Sequence, residues 1–538
     1  MAVLKNSLIV SLWTSVSRML GFARDLLIAN KLGASMASDA FFIALILPNL
    51  LRRLFAEGAF NVAFVPILAR HKGHTKAEAL EFASATLSWL MLLVTLTVLA
   101  GELMMPGLVT LLAGGWVNEP EKFNLAVHLG RITFPYLGLI ALAAFLGAVC
   151  NTFGQFAAYA MVPAFLNISI LVCLFALPGM GAHPAEAAAW AIPLGGVGQA
   201  LYMLWSVKKL GLKLKLVWLP KHKDLKPLLY RMGPAAIGVG ILQLSLLVDN
   251  AVASWLPEGA ITYLQYANRF YQLPLSLIGV AVATVLLPHL AVLLGEGNRK
   301  EATRAFTDAL SACLALALGC CVGFTMMAPE MMQALLRHGE LTQEASQLVA
   351  WAMIGYVLGL PGYILTKVTA PAFFAAEDPI SPVKAGAWAL GVNFALNVLF
   401  VVGAKALHLE HIAHVGIALS TAIGGYVNAA LQWHWLNSRG VLDIDRAAFG
   451  RKVVKMLMVS GAIGVTLGLC KLVAPYNMEW NLIFRLAWLG VMGVIGVAVF
   501  AVGLEMTGLL NVRSLGKSML GRKKKKLVAV TGADADNV

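Results

Sequence analysis

The side chains best suited to chemistry in this sequence are ionisable residues set in otherwise apolar stretches. They are Arg18, Arg24 and Asp25, then Asp39, Arg52, Arg53 and Glu57, and much later Arg269 and Lys367. Placing such a group in hydrocarbon costs roughly 2.5–3.5 kcal/mol on insertion scales, so these residues mark pathways and sites. On a helix Arg18 and Asp25 share a face, and Ser17, Gly21 and Arg24 recur at three to four residues. Arg53 and Glu57, at i and i+4, are spaced for a salt bridge that neutralises one charge. The other arginines leave a surplus of positive charge. A guanidinium fork suits two phosphate oxygens at once, so Arg18, Arg24, Arg52, Arg53 and Arg269 point to a phosphate or diphosphate held in a hydrated cavity.

A second polar set is Asp249 with Asn250, and Asn393 with Asn397 at i, i+4. Its oxygens suit Na⁺ as a coupling ion, or else form a hydrogen-bonded packing cluster. His408, Glu410, His411 and His414 are metal-ligating types, but in a short connection they read as solvated loop residues, and no metal site is expected. Cys150, Cys173, Cys313, Cys320, Cys321 and Cys470 lie in or beside apolar runs without ligand spacing and read as small buried hydrophobes. The sequence has no phosphate-cradling Gly-x-x-x-x-Gly-Lys loop, no Gly-x-Ser-x-Gly elbow and no His-Glu-x-x-His, and no cofactor is expected. A membrane glycosyltransferase acting on polyprenyl-linked sugars would need carboxylates in sizeable loops. Glu102, Glu119 and Glu121 have only short ones.

The elements that position these residues must be membrane helices. Of 538 residues, 59% are hydrophobic and 13% charged, about half the charge of a soluble domain. Apolar runs of spanning length begin near residues 8, 36, 80, 124, 158, 186, 228, 260, 305, 346, 383, 413, 453 and 482, about fourteen spans in all. With the N-terminus in the cytoplasm, one set of connections collects Arg70, Lys72, Lys76, the lysines from Lys208 to Lys226, Arg299, Lys300, Arg439 and Arg451. The other holds only Lys31, Lys122, Arg337, Lys405 and Lys471. The bias places both termini in the cytoplasm, and it explains the net charge of +14 as orientation and lipid-headgroup attraction rather than nucleic-acid binding.

The halves also repeat at an offset of about 222–225 residues. Asp25-Leu-Leu-Ile-Ala29 aligns with Asp249-Asn-Ala-Val-Ala253, Val65-Pro66 with Leu287-Pro288, and Glu78-Ala79 with Glu301-Ala302. Six spans per copy is an even number, so the copies are parallel, and transporters of this kind alternate access by rocking one half against the other. The expected fold is all-α and polytopic: a six-helix lobe over 1–210, a basic linker over 211–226 and a second lobe over 227–440, around a central cavity. Two additional helices over 441–511 and a basic tail over 512–538 complete it.

Several motifs resemble the MurJ (MviN) family of lipid II flippases, in the multidrug/oligosaccharidyl-lipid/polysaccharide exporter superfamily. They are Ser17-Arg18-Met-Leu-Gly21-Phe-Ala-Arg24-Asp25, Asp39-Ala-Phe-Phe, and Leu47-Pro48-Asn49-Leu-Leu-Arg52-Arg53-Leu-Phe-Ala-Glu57-Gly58. Tyr266-Ala-Asn-Arg269 and Lys367-Val-Thr-Ala-Pro371 continue the resemblance in the second half. It implies an inner-membrane flippase whose arginines bind the diphosphate-sugar head group of lipid II. Ser17, Asp25, Asp39, Asn49, Glu57 and Lys367 would organise or gate the site, and the last two helices would shelter the polyprenyl tail. The implied partners are lipid II, the phospholipid bilayer and the cell-wall synthesis machinery. Direction would come from Na⁺ or H⁺ coupling, membrane potential or product consumption. A drug antiporter of the same superfamily is the nearest alternative, though acidic rather than arginine-rich cavities are expected of it.

Overall fold

The computed structural model describes residues 2–53 and 59–509, and all its regular elements among those residues are helical. The first half runs α1 (Ala2–Leu32), α2 (Met36–Arg52), α3 (Ala59–His74), α4 (Lys76–Leu112), α5 (Pro120–Thr133), α6 (Tyr136–Thr152), α7 (Phe156–Ala176) and α8 (Pro184–Lys209). The second runs α9 (Leu225–Ala253), α10 (Ala260–Leu275), α11 (Ala281–Gly295), α12 (Arg299–Leu336), α13 (Gln343–Leu358), α14 (Leu360–Ala375), α15 (Ile380–Ala406) and α16 (Ala413–Ser438). Two more follow, α17 (Arg446–Val473) and α18 (Leu482–Met506). The repeat is visible in this order. Helices α10, α12, α14 and α15 start 224, 223, 224 and 224 residues after α2, α4, α6 and α7.

Ten helical segments among the described residues are long and apolar enough to cross a membrane. The remaining four of the expected fourteen spans fall on α1, α2, α9 and α10. Helix α1 carries Arg18, Arg24 and Asp25, α9 carries Asp249, and α2 and α10 are only 17 and 16 residues long. The structure also adds a helix that the sequence reading left inside a connection. Helix α3 buries Phe60, Ala63, Phe64, Ile67 and Leu68 on one side and ends in Arg70, His71 and Lys72. Its internal Pro66 and its basic last turn hide it from a search for long apolar runs.

The chain packs as two compact units. The first comprises Met1–Ala267, Leu335–Ala352 and Leu390–Ser420, so it joins the first half to α9 and to pieces of later helices. Its core includes Phe41, Phe64, Phe82 and Phe145, with Phe64 within 5.1 Å of Phe145. The second unit comprises Asn268–Ala334, Met353–Ala389 and Thr421–Val538. Within it α17 and α18 pack on each other, and Met327, Ile463, Leu467, Trp488 and Met492 form an apolar cluster. Much of the surface of these two helices is nonetheless apolar and exposed, including Leu457, Val465, Leu469, Val494 and Val497. A helix with that surface is suited to hydrocarbon.

Candidate functional site

On α1, Arg24 lies part-buried with its guanidinium bound from two sides. Its Nε and Nη2 donate to Asp25 Oδ1 at 2.9 and 2.6 Å, and its Nη1 donates to Asn167 Oδ1 at 3.0 Å. Asn167, buried on α7, also donates from Nδ2 to the Ser17 carbonyl at 3.0 Å, so one amide fixes both the arginine and the α1 backbone. Asp25 therefore serves its sequence neighbour Arg24 more closely than Arg18, with which it shares a helix face. Arg18 is exposed in mid-helix, and Ser17 is half-buried beside it. Arg52 is half-buried at the end of α2. Arg53 donates to Gln243 Oε1 on α9. Its expected partner Glu57 lies outside the described residues, and Asn49 is half-buried one turn earlier on α2.

Asp39 belongs to a different arrangement. Ser35 caps α2 in a capping box, which fixes the first turn of the helix. There Asp39 is 1% exposed and receives four hydrogen bonds. Thr262 donates to Oδ1 from its backbone N–H at 2.9 Å and from Oγ1 at 2.7 Å. Oδ2 receives the Gly259 N–H at 2.9 Å and Lys122 Nζ at 3.2 Å. Lys122, assigned by sequence to a loop, is buried at the start of α5, with its ammonium 4.4 Å from the Trp116 ring centroid. Ser38 Oγ lies 2.8 Å from Thr262 Oγ1, and the Met36 N–H bonds to Glu258. These pairs are 224 and 222 residues apart, the repeat offset itself, so the first turns of α2 and α10 meet as symmetry-related copies.

Close backbone approach seals the same end. The Glu340 N–H donates to the Asn30 carbonyl at 2.8 Å, and Tyr266 donates to the Gly33 carbonyl at 3.2 Å. Gly33 has φ +60°, and a Cβ there would stand 2.6 Å from the Glu340 carbonyl oxygen. Only glycine satisfies both conditions.

The Asp249 set also comes together. Asn397 donates to Asp249 Oδ1 at 2.7 Å and faces Asn393 Oδ1 at 3.4 Å, with all three residues buried. The carbonyl oxygen Asn397 Oδ1 is buried without a hydrogen-bond partner. Asn250 accepts from Gln265 at 3.2 Å. His414 departs from the solvated-loop expectation: it is 1% exposed at the head of α16, against the Leu348 carbonyl at 3.1 Å. In the second unit, Arg269 on α10 and Lys367 on α14 are exposed. Gln272 there donates to Asn268, and Tyr271 stacks on Tyr356 with centroids 5.2 Å apart.

The sequence reading missed Asn167, Lys122, Gln243 and Thr262. Each is a polar partner brought in from 83 to 223 residues away by the fold. No local spacing announces such a partner.

A family model described as Lipid II flippase MurJ matches residues 28–488. A probable lipid II flippase MurJ of Vibrio cholerae serotype O1 is 34% identical over 525 residues, covering 95% of this chain and 97% of that protein. A solved structure of lipid II flippase MurJ in an inward closed conformation superposes with a TM-score of 0.77 at 26% identity, covering 93% of this chain and 98% of that one. An inward-facing multidrug resistance transporter of the MATE family and MOP superfamily gives 0.65 at 17% identity, covering 81% and 96%, a likeness of fold alone.

Proposed function

We propose a mechanism from the premise that this chain belongs to the MurJ family of lipid II flippases. It is a transporter rather than an enzyme, and a multi-pass protein of the bacterial inner membrane. The proposal begins with the arginines of α1 and α2 as the receptor for the diphosphate of lipid II. Asp39 is committed to Lys122 and the α10 turn. Arg18, Arg24, Arg52 and Arg53 are then set against only Asp25 and Glu57 on these two helices and the segment after them. That surplus is the observation that carries the reading. Arg24 is already oriented by Asn167, so little side-chain entropy remains to be lost when an anion binds. Arg269 and Lys367 are further candidates for the sugar-diphosphate.

With the termini in the cytoplasm, the α1–α2 and α9–α10 turns lie on the periplasmic side, and the Asp39 cluster is the periplasmic latch. The head group enters from the cytoplasm while the latch is closed. It leaves to the periplasm when Asp39 releases Thr262 and Gly259. The polyprenyl tail stays in hydrocarbon along α17 and α18, whose apolar outer surfaces suit it. The Asp249, Asn393 and Asn397 oxygens would hold Na⁺ and bias the equilibrium between the two states, with membrane potential or an H⁺ gradient as the other sources of drive. Delivery to the cell-wall synthesis machinery follows on the periplasmic side.

Native mass spectrometry of the purified chain with lipid II tests the receptor. Wild type should retain the lipid, and Arg24→Ala and Arg52→Ala should each weaken retention at least tenfold. Equal retention by all three would remove the arginines from the site.

A further inference from the structure

Away from the arginines and the latch, His71, His222 and Asp224 converge where the linker preceding α9 docks on the end of α3. The linker is held along α4 by defined bonds. Ser84 and Ser88 accept the Lys215 and Val217 N–H groups, and Trp89 donates to the Pro220 carbonyl. This brings one ligating atom of each of the three residues within 4.8 Å of the others. His71 Nε2 is 2.9 Å and His222 Nδ1 4.0 Å from Asp224 Oδ2, and that Nδ1 also accepts the Asp224 N–H at 3.2 Å, a bond the ion would displace. Ligands about 2.1 Å from a tetrahedral Zn²⁺ stand roughly 3.4 Å apart, a value the two distances to Oδ2 bracket.

A second observation is independent of that spacing. His71 is 5% exposed, and its other ring nitrogen, Nδ1, is buried with no hydrogen-bond partner. The nearest acid, Glu78, has Oε2 3.8 Å away. With a metal on Nε2 the imidazole proton sits on Nδ1, and a small shift of Glu78 completes the carboxylate–histidine–metal relay common to such sites. The second carboxylate oxygen of Asp224 is already bonded by Arg70 at 2.8 Å, as outer-shell support for a ligating carboxylate. His222 also lines an open cavity of about 450 Å³ together with Glu81, Lys213, Lys215 and Lys221, which leaves a fourth position for water or the Glu81 carboxylate.

We propose that His71, His222 and Asp224 form a site for a divalent transition ion, of which Zn²⁺ is the redox-inert representative. An N₂O donor set fits this class of ion better than Mg²⁺ or Ca²⁺, which prefer oxygen. The bound ion would fasten the linker, and with it the start of α9, to the end of α3. It would act as a removable brace between the two repeats, apart from the transported lipid.

The test uses the full-length chain in detergent, with its affinity tag removed and metal stripped by a chelator. Titration of Zn²⁺ against a chromophoric chelator should show one tight equivalent. His222→Ala and Asp224→Asn should weaken it at least tenfold, and His408→Ala/His411→Ala should leave it unchanged. Zn²⁺ should raise the Tm of wild type and not of the two site variants, each compared with its own Tm in chelator. Co²⁺ should give visible d–d bands in wild type itself, which keeps the test independent of variant folding. Absence of those bands, or equal Zn²⁺ affinity in wild type and the site variants, would overturn the proposal.

Discussion

Asp39 and Arg24 are both charges carried into a largely apolar molecule, and the fold treats them in opposite ways. Asp39 is almost fully enclosed, with four donors arranged around two oxygens. Arg24 keeps 15% of its side chain exposed, and Arg18, two turns earlier, is exposed outright. A charge whose hydrogen bonds are met internally serves to hold elements together. A charge that is oriented but incompletely enclosed is prepared for a ligand. The contrast separates the proposed latch from the proposed receptor within one unit, using residues of the same two helices.

The largest expected effect falls on the latch. Asp39→Ala leaves Lys122 as a buried, unpaired ammonium, a change that costs about 3–5 kcal/mol. It should lower Tm in detergent sharply, and Asp39→Ala/Lys122→Met should recover part of the loss. A variant with only Asp39→Ala that unfolds like wild type would break the comparison from this side. Gly33→Ala comes next. Its positive φ and the Glu340 carbonyl leave no room for a methyl group. It should disturb closure of this end by about 1–3 kcal/mol, measurable as increased labelling of a cysteine placed beside Thr262.

The receptor side should show the reverse pattern. Arg18→Ala should change Tm little and still remove flipping. Asn167→Ala should weaken flipping less than Arg24→Ala, because it misorients Arg24 without removing it. Full activity in Asn167→Ala would show that Arg24 needs no orientation. The smallest effect belongs to a surface counterpart, Asp378, which accepts from Ser381 at the start of α15 and pairs with Arg439. Partial burial alone would raise its carboxyl, but these bonds outweigh that and hold it below its usual range. A carboxylate lowered by folding stabilises above its unfolded value and stops doing so as pH falls through the folded one. Asp378→Asn should thus cost up to about 1 kcal/mol near neutral pH and nothing in strong acid, read from Tm at several pH values.

Sequence made the arginines, the repeat and the long apolar helices legible, because a charge in hydrocarbon and a period of 3.6 residues are local signals. The same signals obscured α3, whose proline and basic end look like a connection, and Lys122, whose place at the head of a span looks like topology. Asn167 and Thr262 carry no charge and sit in runs where polar residues are common, so only the folded chain shows what they bind. The His71, His222 and Asp224 cluster spans 153 residues of sequence and escaped for the same reason. Asp249, Asn393 and Asn397 were grouped by type and spacing, and their contacts now supply the geometry for that grouping.

The most direct test is to deplete the protein in its host and ask whether lipid II reaches a periplasmic enzyme, with wild type or an arginine variant supplied in trans. Wild type should restore access. Membrane-inserted Arg18→Ala, Arg24→Ala, Arg52→Ala and Arg269→Ala with normal Tm should not. Continued access on depletion, in a host without another flippase, would contradict the account.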